Sequence, residues 1–174
     1  MDINQFLTHF IGELNKGYEE AVAGITDEQL YFLPNENTCH IAFHAWHFAR
    51  TEDNVINFIC QNRKMPVWVR QGLHDKWGLP KVTQGTGMSL IEARALRLPG
   101  TESLIQYIRD TWADIEPYLR SVSAEELQGI VNIRQWGDKP RLQQIGRTIV
   151  AHGNDHLGQI KTLRSIQNLQ GDAF

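Results

Sequence analysis

The chain has 174 residues, 41% hydrophobic and 21% charged; at this length that is enough to bury a sizeable core, which excludes a disordered or fibrous chain. Seventeen basic against 20 acidic residues give a net charge of −3 without a run of like charges, so neither a nucleic-acid surface nor a polybasic membrane patch is expected. No apolar stretch approaches the roughly 20 residues that span a bilayer, the start MDINQFLTHF lacks a signal-peptide pattern, and Cys39 and Cys60 form no CxxC pair, so a reducing cytoplasm is the expected location.

In chain order, Phe6, Leu7, Phe10, Ile11, Leu14, Tyr18, Ala21 and Val22 recur at helical spacing and predict an amphipathic helix from Asp2 to about Gly24. Thr26 with Gln29 has the spacing of a capping box for a short turn ending at Pro34. A second helix is predicted from Asn37 or Thr38 to about Gln61, with Ile41, Phe48, Val55 and Ile59 along one stripe. A third runs from Thr101, read as its N-cap, to about Arg120, and Pro117 inside it predicts a kink or an early end. The fourth begins near Pro140, carries Leu142, Ile145, Ile149, Ile160 and Leu163 on one side, and ends before Gly171.

Between the second and third helices, the segment 62–100 holds Pro66, Pro80 and Pro99 with five glycines, at 72, 78, 85, 87 and 100, and so is not one regular element. Ser89 with Glu92 caps a short helix over Ser89 to Leu98. A connection of this length is uncommon unless it is functional or carries structure of its own. Strand signals are weak throughout, including the interruption from Val131 to Lys139. The expected architecture is an all-α four-helix bundle with a long crossover between helices two and three, as one domain over residues 1–174.

The histidines cluster. His40, His44 and His47 fall in helix two as HIAFHAWH, and His152 and His156 in helix four as HGNDH. At 100° per residue the first three occupy a sector of about 60°, and the last two, four residues apart, stack on one face. Two imidazoles so spaced can chelate one metal ion, as in HExxH enzymes, but Gly153 stands where the Glu would be, which disfavours a metalloprotease. The wheel places His156 on the inward side, where an unsatisfied polar atom costs about 1–3 kcal/mol. A metal ion would satisfy it, as would a carbonyl in a purely structural core. Three neutral nitrogens from two helices leave an open coordination position, the arrangement of a catalytic rather than a closed structural site. The wheel alone does not choose His47 as the third donor, because His44 lies nearer the apolar stripe. Glu52 falls within that stripe, either as a buried partner or at a solvated helix end.

Other chemistries lack their residues. No glutamate has a histidine three residues later, as di-iron bundles need. CxxCH, GxSxG, the P-loop and GxGxxG are absent, and QGTGMS reads as a turn. Both cysteines read as structural.

Three segments, AFHAWHFARTEDNVINFI, GTGMSLIEARALRLPG and IVAHGNDHLGQIKTLRSI, make the chain similar to the DinB-like (YfiT-like) superfamily over most of its length. That resemblance implies a four-helix bundle, often dimeric, with a divalent ion, commonly zinc or nickel, held by three histidines. One comes from helix two, followed five residues later by Glu, and two come from an HxxxH pair in helix four. It thus singles out His47 with Glu52, and His152 with His156, and leaves His40 and His44 as packing or supporting groups. It implies the reaction less specifically. Some relatives are thiol-dependent transferases or isomerases using mycothiol, bacillithiol or glutathione, others are classed as hydrolases, and many have no established activity.

Two kinds of function follow. A metal-dependent enzyme would use the ion to activate a low-molecular-weight thiol, as an S-transferase, or water, as a hydrolase, on a small-molecule substrate. A non-catalytic, stress-related homodimer would bind metal or ligand only. Trp46, Trp68, Trp77 and Trp136 could line an apolar pocket, with core packing the favoured role for each. Arg50 is an anion contact or, as is usual on a helix, a solvated or ion-paired residue; Asp155 is an acid–base group or, as its wheel position favours, an exposed helix residue; and Glu52 is the candidate acid, base or support for His47.

Overall fold

The structure is a computed structural model and describes residues 1–169. Asp2 accepts a hydrogen bond from the Gln5 amide (2.8 Å) while the Gln5 side chain accepts one from the Asp2 amide (2.9 Å). This reciprocal cap starts α1, Ile3–Val22, which buries Leu7, Ile11, Leu14, Tyr18, Ala21 and Val22. Phe6 and Phe10 lie outside that buried stripe, 42% and 44% exposed. Thr26 and Gln29 form the second reciprocal cap, which opens α2, Asp27–Leu30.

Helix α3, Ile41–Glu52, starts later than Asn37 or Thr38 because His40 is its N-cap: the His40 Nδ1 accepts from the Phe43 amide at 3.0 Å. The rod continues as a π-helical segment, Asp53–Cys60. The crossover then carries α4, Val67–Arg70, α5, Leu73–Trp77, and α6, Leu90–Ala95. The Ser89–Glu92 capping box is present, but α6 ends at Ala95 rather than Leu98. Asp53 fastens the start of the crossover to the core. Its carboxylate accepts from the Val67 and Trp68 amides, the Asn57 side chain and the Tyr107 hydroxyl, each at 2.9 Å.

Helix α7, Thr101–Ser121, begins after Gly100, whose φ of +134° suits glycine, so Thr101 is the first helical residue rather than the cap. Pro117 does not end it; the helix runs four residues further. After α8, Ala124–Gln128, the chain makes an antiparallel hairpin of β1, Ile130–Ile133, and β2, Gly137–Pro140, with Ile130 opposite Pro140 and Ile133 opposite Gly137. The fold is mostly helical, consistent with the all-α expectation, and adds a small two-stranded sheet. Gly137 at φ +71° and a 2.7 Å bond from the Trp136 amide to the Ile133 carbonyl close the turn. The last rod consists of α9, Arg141–Ile145, a π-helical segment Gly146–Ala151, and α10, His152–Ile166. Gly171, the expected limit of this helix, lies outside the described residues.

Helix α1 packs along α7 and α10, and α3 packs against α10 and α7. The core they share holds Trp46, Trp68, Tyr18, Tyr107 and Phe48, all fully buried. Tyr18 stacks on Phe48 at 4.1 Å between ring centres and donates to the Gly153 carbonyl at 2.7 Å. A Cβ on Gly153 would lie 2.6 Å from both Leu14 and Phe48. The glycine between the two histidines of α10 is therefore what lets that helix press against α1 and α3. No helix among the described residues is long and apolar enough to cross a membrane.

Candidate metal centre

Helix α3 carries His47 and α10 carries His152 and His156, and their packing brings the three rings together. His152 Nε2 lies 3.1 Å from His47 Nε2 and 3.1 Å from His156 Nε2, and each residue offers one nitrogen within 4.8 Å of the other two. Burial lowers the pKa of all three, with mutual repulsion adding at His47 and His152; His47 is lowered to about 4. The rings are thus neutral at pH 7, with lone pairs free.

The other ring nitrogens settle which atoms carry protons. His47 Nδ1 donates to the Gln84 carbonyl (2.5 Å), leaving its Nε2 bare. His156 Nδ1 donates to the Gln159 side-chain oxygen (2.6 Å), which bares its Nε2 also. His152 Nδ1 is buried without a hydrogen-bond partner, though the Thr148 carbonyl one turn back favours a proton there. Bare Nε2 lone pairs crowd one small volume, an arrangement that is unfavourable without a cation. A divalent ion about 2.0–2.1 Å from each nitrogen fits donors 3.1 Å apart. The residues present therefore suit such an ion.

The crossover loop forms the back of the site. Gly85 adopts φ +97°, and a Cβ there would stand 2.7 Å from His47 Nδ1. Only glycine lets the Gln84 carbonyl reach the ring. These two residues belong to QGTGMS, which in sequence reads as a plain turn. The bond uses a backbone carbonyl, so no side chain advertises it; the paired glycines in an overlong connection are the one available hint.

The remaining candidates fall in different places. His44 is buried and its Nδ1 lies 3.0 Å from His156 Nδ1, behind the cluster; burial and the neighbouring histidines lower its pKa to about 3. His40 caps α3 and reaches the Arg94 carbonyl at 3.3 Å. Glu52 is wholly buried and accepts from the Asn15 side chain at 2.8 Å, with its Oε2 unpartnered. Burial, aided by Asp53 and opposed by the Asn15 bond, pushes its pKa up to about 8. Among the described residues no hydrogen bond joins Glu52 to a histidine; the Gln84 carbonyl occupies the place expected of it beside His47.

Arg50 is buried rather than solvated, 3.9 Å from Asp53 and 4.8 Å above the Trp68 ring. Trp46 and Trp68 are fully buried core residues, and Trp77 packs edge-on to Trp68. Trp136 alone of the four lines the pocket beside the histidines. Asp155 is exposed. Both cysteines are free, and burial raises their pKa values, that of Cys60 to about 12, so neither is an activated nucleophile.

The three histidines open onto a pocket of about 280 Å³. Its walls follow two parallel stripes, His47, Thr51 and Val55 on one rod and Thr148, His152 and His156 on the other. The hairpin and the Gln84–Gly87 loop complete it, and no carboxylate lines it. Larger depressions, about 660 Å³ at the start of α1 and about 690 Å³ beside His44 and α10, contain none of the three histidines, and the chemistry of the donor set outweighs their size.

A mostly helical fold with three histidines converging beside a small pocket defines the class of the protein. The sequence model of the DinB superfamily matches residues 14–160, and the chain belongs to that superfamily. No curated protein matches it significantly. Among solved structures it is similar to one titled as a conserved protein of locus from Enterococcus faecalis, with a TM-score of 0.77, 20% sequence identity, and coverage of 95% of this chain and 99% of that one. At this identity the likeness concerns the fold.

Proposed function

We propose that the chain is a single-domain four-helix bundle that holds a divalent ion, zinc or nickel, on His47, His152 and His156, and that it acts as a thiol-dependent S-transferase on a small molecule. The observation that carries this reading is the convergence of three neutral imidazoles, Nε2 to Nε2 at 3.1 Å, on the wall of a pocket. When bound, such an ion would lower the pKa of a thiol or of water and supply a nucleophile near neutral pH. The Gln84 carbonyl holds His47 in the tautomer that presents Nε2. Phe43, Val55, Ile133 and Trp136 keep part of the pocket apolar, which strengthens electrostatic interactions within it.

Thiol transfer is preferred to hydrolysis because no Asp or Glu lines the pocket. A thiolate formed on the ion needs no general base, whereas expelling a poor leaving group after attack by water calls for an acid. Glu52 is assigned to support of α3 through Asn15. A homodimer in the cytoplasm remains part of the same reading.

Elemental analysis of untagged protein tests it. One divalent ion per chain is expected in wild type and in His44→Ala, and loss of the ion in His47→Ala, His152→Ala and His156→Ala. Wild-type protein that stays metal-free after incubation with zinc or nickel would refute it.

A further inference from the structure

The crossover passes the metal centre as a strap. Residues 80–87 run between two apolar anchors, Leu79 and Met88, both partly buried against the core. Side chains do not hold its first part: Lys81 is exposed and Val82 is 86% exposed. Apart from its own turn onto Met88, this stretch makes two hydrogen bonds to the rest of the protein among the described residues, and both go to α3. The Gln84 carbonyl accepts from His47 Nδ1, and the Lys81 carbonyl accepts from Arg50 Nη2 at 3.4 Å. Two side chains three residues apart on the helix thus hold two carbonyls three residues apart on the strap, in antiparallel order. One turn before His47, Phe43 meets Gly85, where a Cβ would stand 3.3 Å from the ring.

Arg50 is an unusual core residue. It is 2% exposed, with its charge 3.9 Å from Asp53 and its guanidinium over Trp68. Asp53 is already held by four other donors. The Arg50 Nε and Nη1 have no hydrogen-bond partner, while Nη2 reaches the strap. A buried cation so incompletely satisfied adds little to stability by itself; what it does reach is the segment that orients His47.

We propose that Arg50 is a positioning residue of the metal centre: with His47 it holds the strap along α3, which sets the Gln84 carbonyl against His47 Nδ1 and seats Gln84–Gly87 as a wall of the pocket. The inference rests on the metal reading above and deepens it to a coupling. Binding free energies are reciprocal. A strap that readies His47 for the ion is tightened in turn by an ion on His47 Nε2, so loading the metal completes the pocket wall.

Hydrogen exchange read by mass spectrometry on the full chain, metal-free and zinc-loaded, tests this. In wild type, zinc should slow exchange at residues 81–87 by roughly tenfold or more, and by more than it slows α5 in the same crossover. Arg50→Met keeps a buried apolar stem and removes the donor. It should lose most of that zinc-dependent protection and bind zinc roughly tenfold or more weakly, read by competition with a chromophoric chelator. Arg50→Lys keeps the charge beside Asp53, and with it the fold, but not the planar fork; it should show both losses in milder form. A role in folding alone would lower the melting temperature of these variants and leave zinc affinity and strap exchange at wild-type values. That result would overturn the assignment of Arg50, as would a wild-type strap that exchanges at one rate with and without zinc. Failure of wild type to load zinc, seen by elemental analysis before any exchange is run, would overturn the metal reading and this coupling with it.

Discussion

Glu52 has no solvent exposure and one hydrogen bond, and its pKa rises from 4.5 to about 8. It is therefore protonated in the native state near neutrality and ionised in the unfolded chain. The sign follows directly. A carboxyl whose folded pKa is raised contributes stability that is fully present below pH 4.5 and is lost as the pH climbs through 8. Each pH unit in that window removes about 1.4 kcal/mol, so the span from 4.5 to 8 comes to about 5 kcal/mol. Glu52→Gln keeps an acceptor for Asn15 and removes the titration. Urea denaturation of the two proteins, made metal-free with a chelator, at half-unit steps from pH 5 to 8 gives the difference. The variant should gain on wild type by about 1 kcal/mol or more per unit. The buried histidines work in the opposite direction, since their lowered pKa values add stability above about 6.5. They are common to both proteins and cancel. A difference that stays flat across the range would show that Glu52 does not titrate as its burial requires.

Four more outcomes are open to measurement. Gly85→Ala, strained at φ +97° and 2.7 Å from His47 Nδ1, should break the Gln84 contact and weaken zinc binding by roughly 10–100-fold, read by competition with a chromophoric chelator. Gly153→Ala, with its Cβ 2.6 Å from Leu14 and Phe48, should destabilise by about 1–3 kcal/mol; an unchanged melting temperature would refute the close approach of α10. Asp53→Asn turns one acceptor into a donor facing amide and hydroxyl donors and should cost about 3 kcal/mol by urea denaturation. Zinc at 100 times its dissociation constant should stabilise wild type by about 2.7 kcal/mol and leave His152→Ala unmoved, as thermal melts would show.

What the sequence disclosed was local. The Asp27–Leu30 and Leu90–Ala95 helices announce themselves through capping pairs three residues apart, and the HxxxH pair needs only one turn of helix to align. Helix α3 was harder to read, because every residue from Ile41 to Glu52 is buried. A helix enclosed on all sides has no single apolar face, so a wheel could rank His44 above His47 while both lie inside. The hairpin escaped notice because two four-residue strands pair only with each other and carry no Asn-Gly turn. Wheels also assume 100° per residue, and both histidine-bearing rods contain π-helical segments, Asp53–Cys60 and Gly146–Ala151, where that angle fails.

The same geometry accounts for Glu52. Five residues on an α-helix turn the chain by 500°, about 140° beyond a full circle, so Glu52 faces away from the side that His47 presents to α10. It meets Asn15 on α1 instead. Thr51, four residues from His47, returns to the same side and lines the pocket. On the other rod His152 and His156 keep the four-residue step, and Thr148 extends it backward across the edge of the π-helical segment. Two stripes of this kind, facing each other, give a slot whose one end is rich in imidazole and whose other end passes through two threonines to Val55 and Trp136. The fourth position after the helix-two histidine therefore belongs to the pocket wall, and the fifth to the buried contact with α1, where a substitution bears on stability.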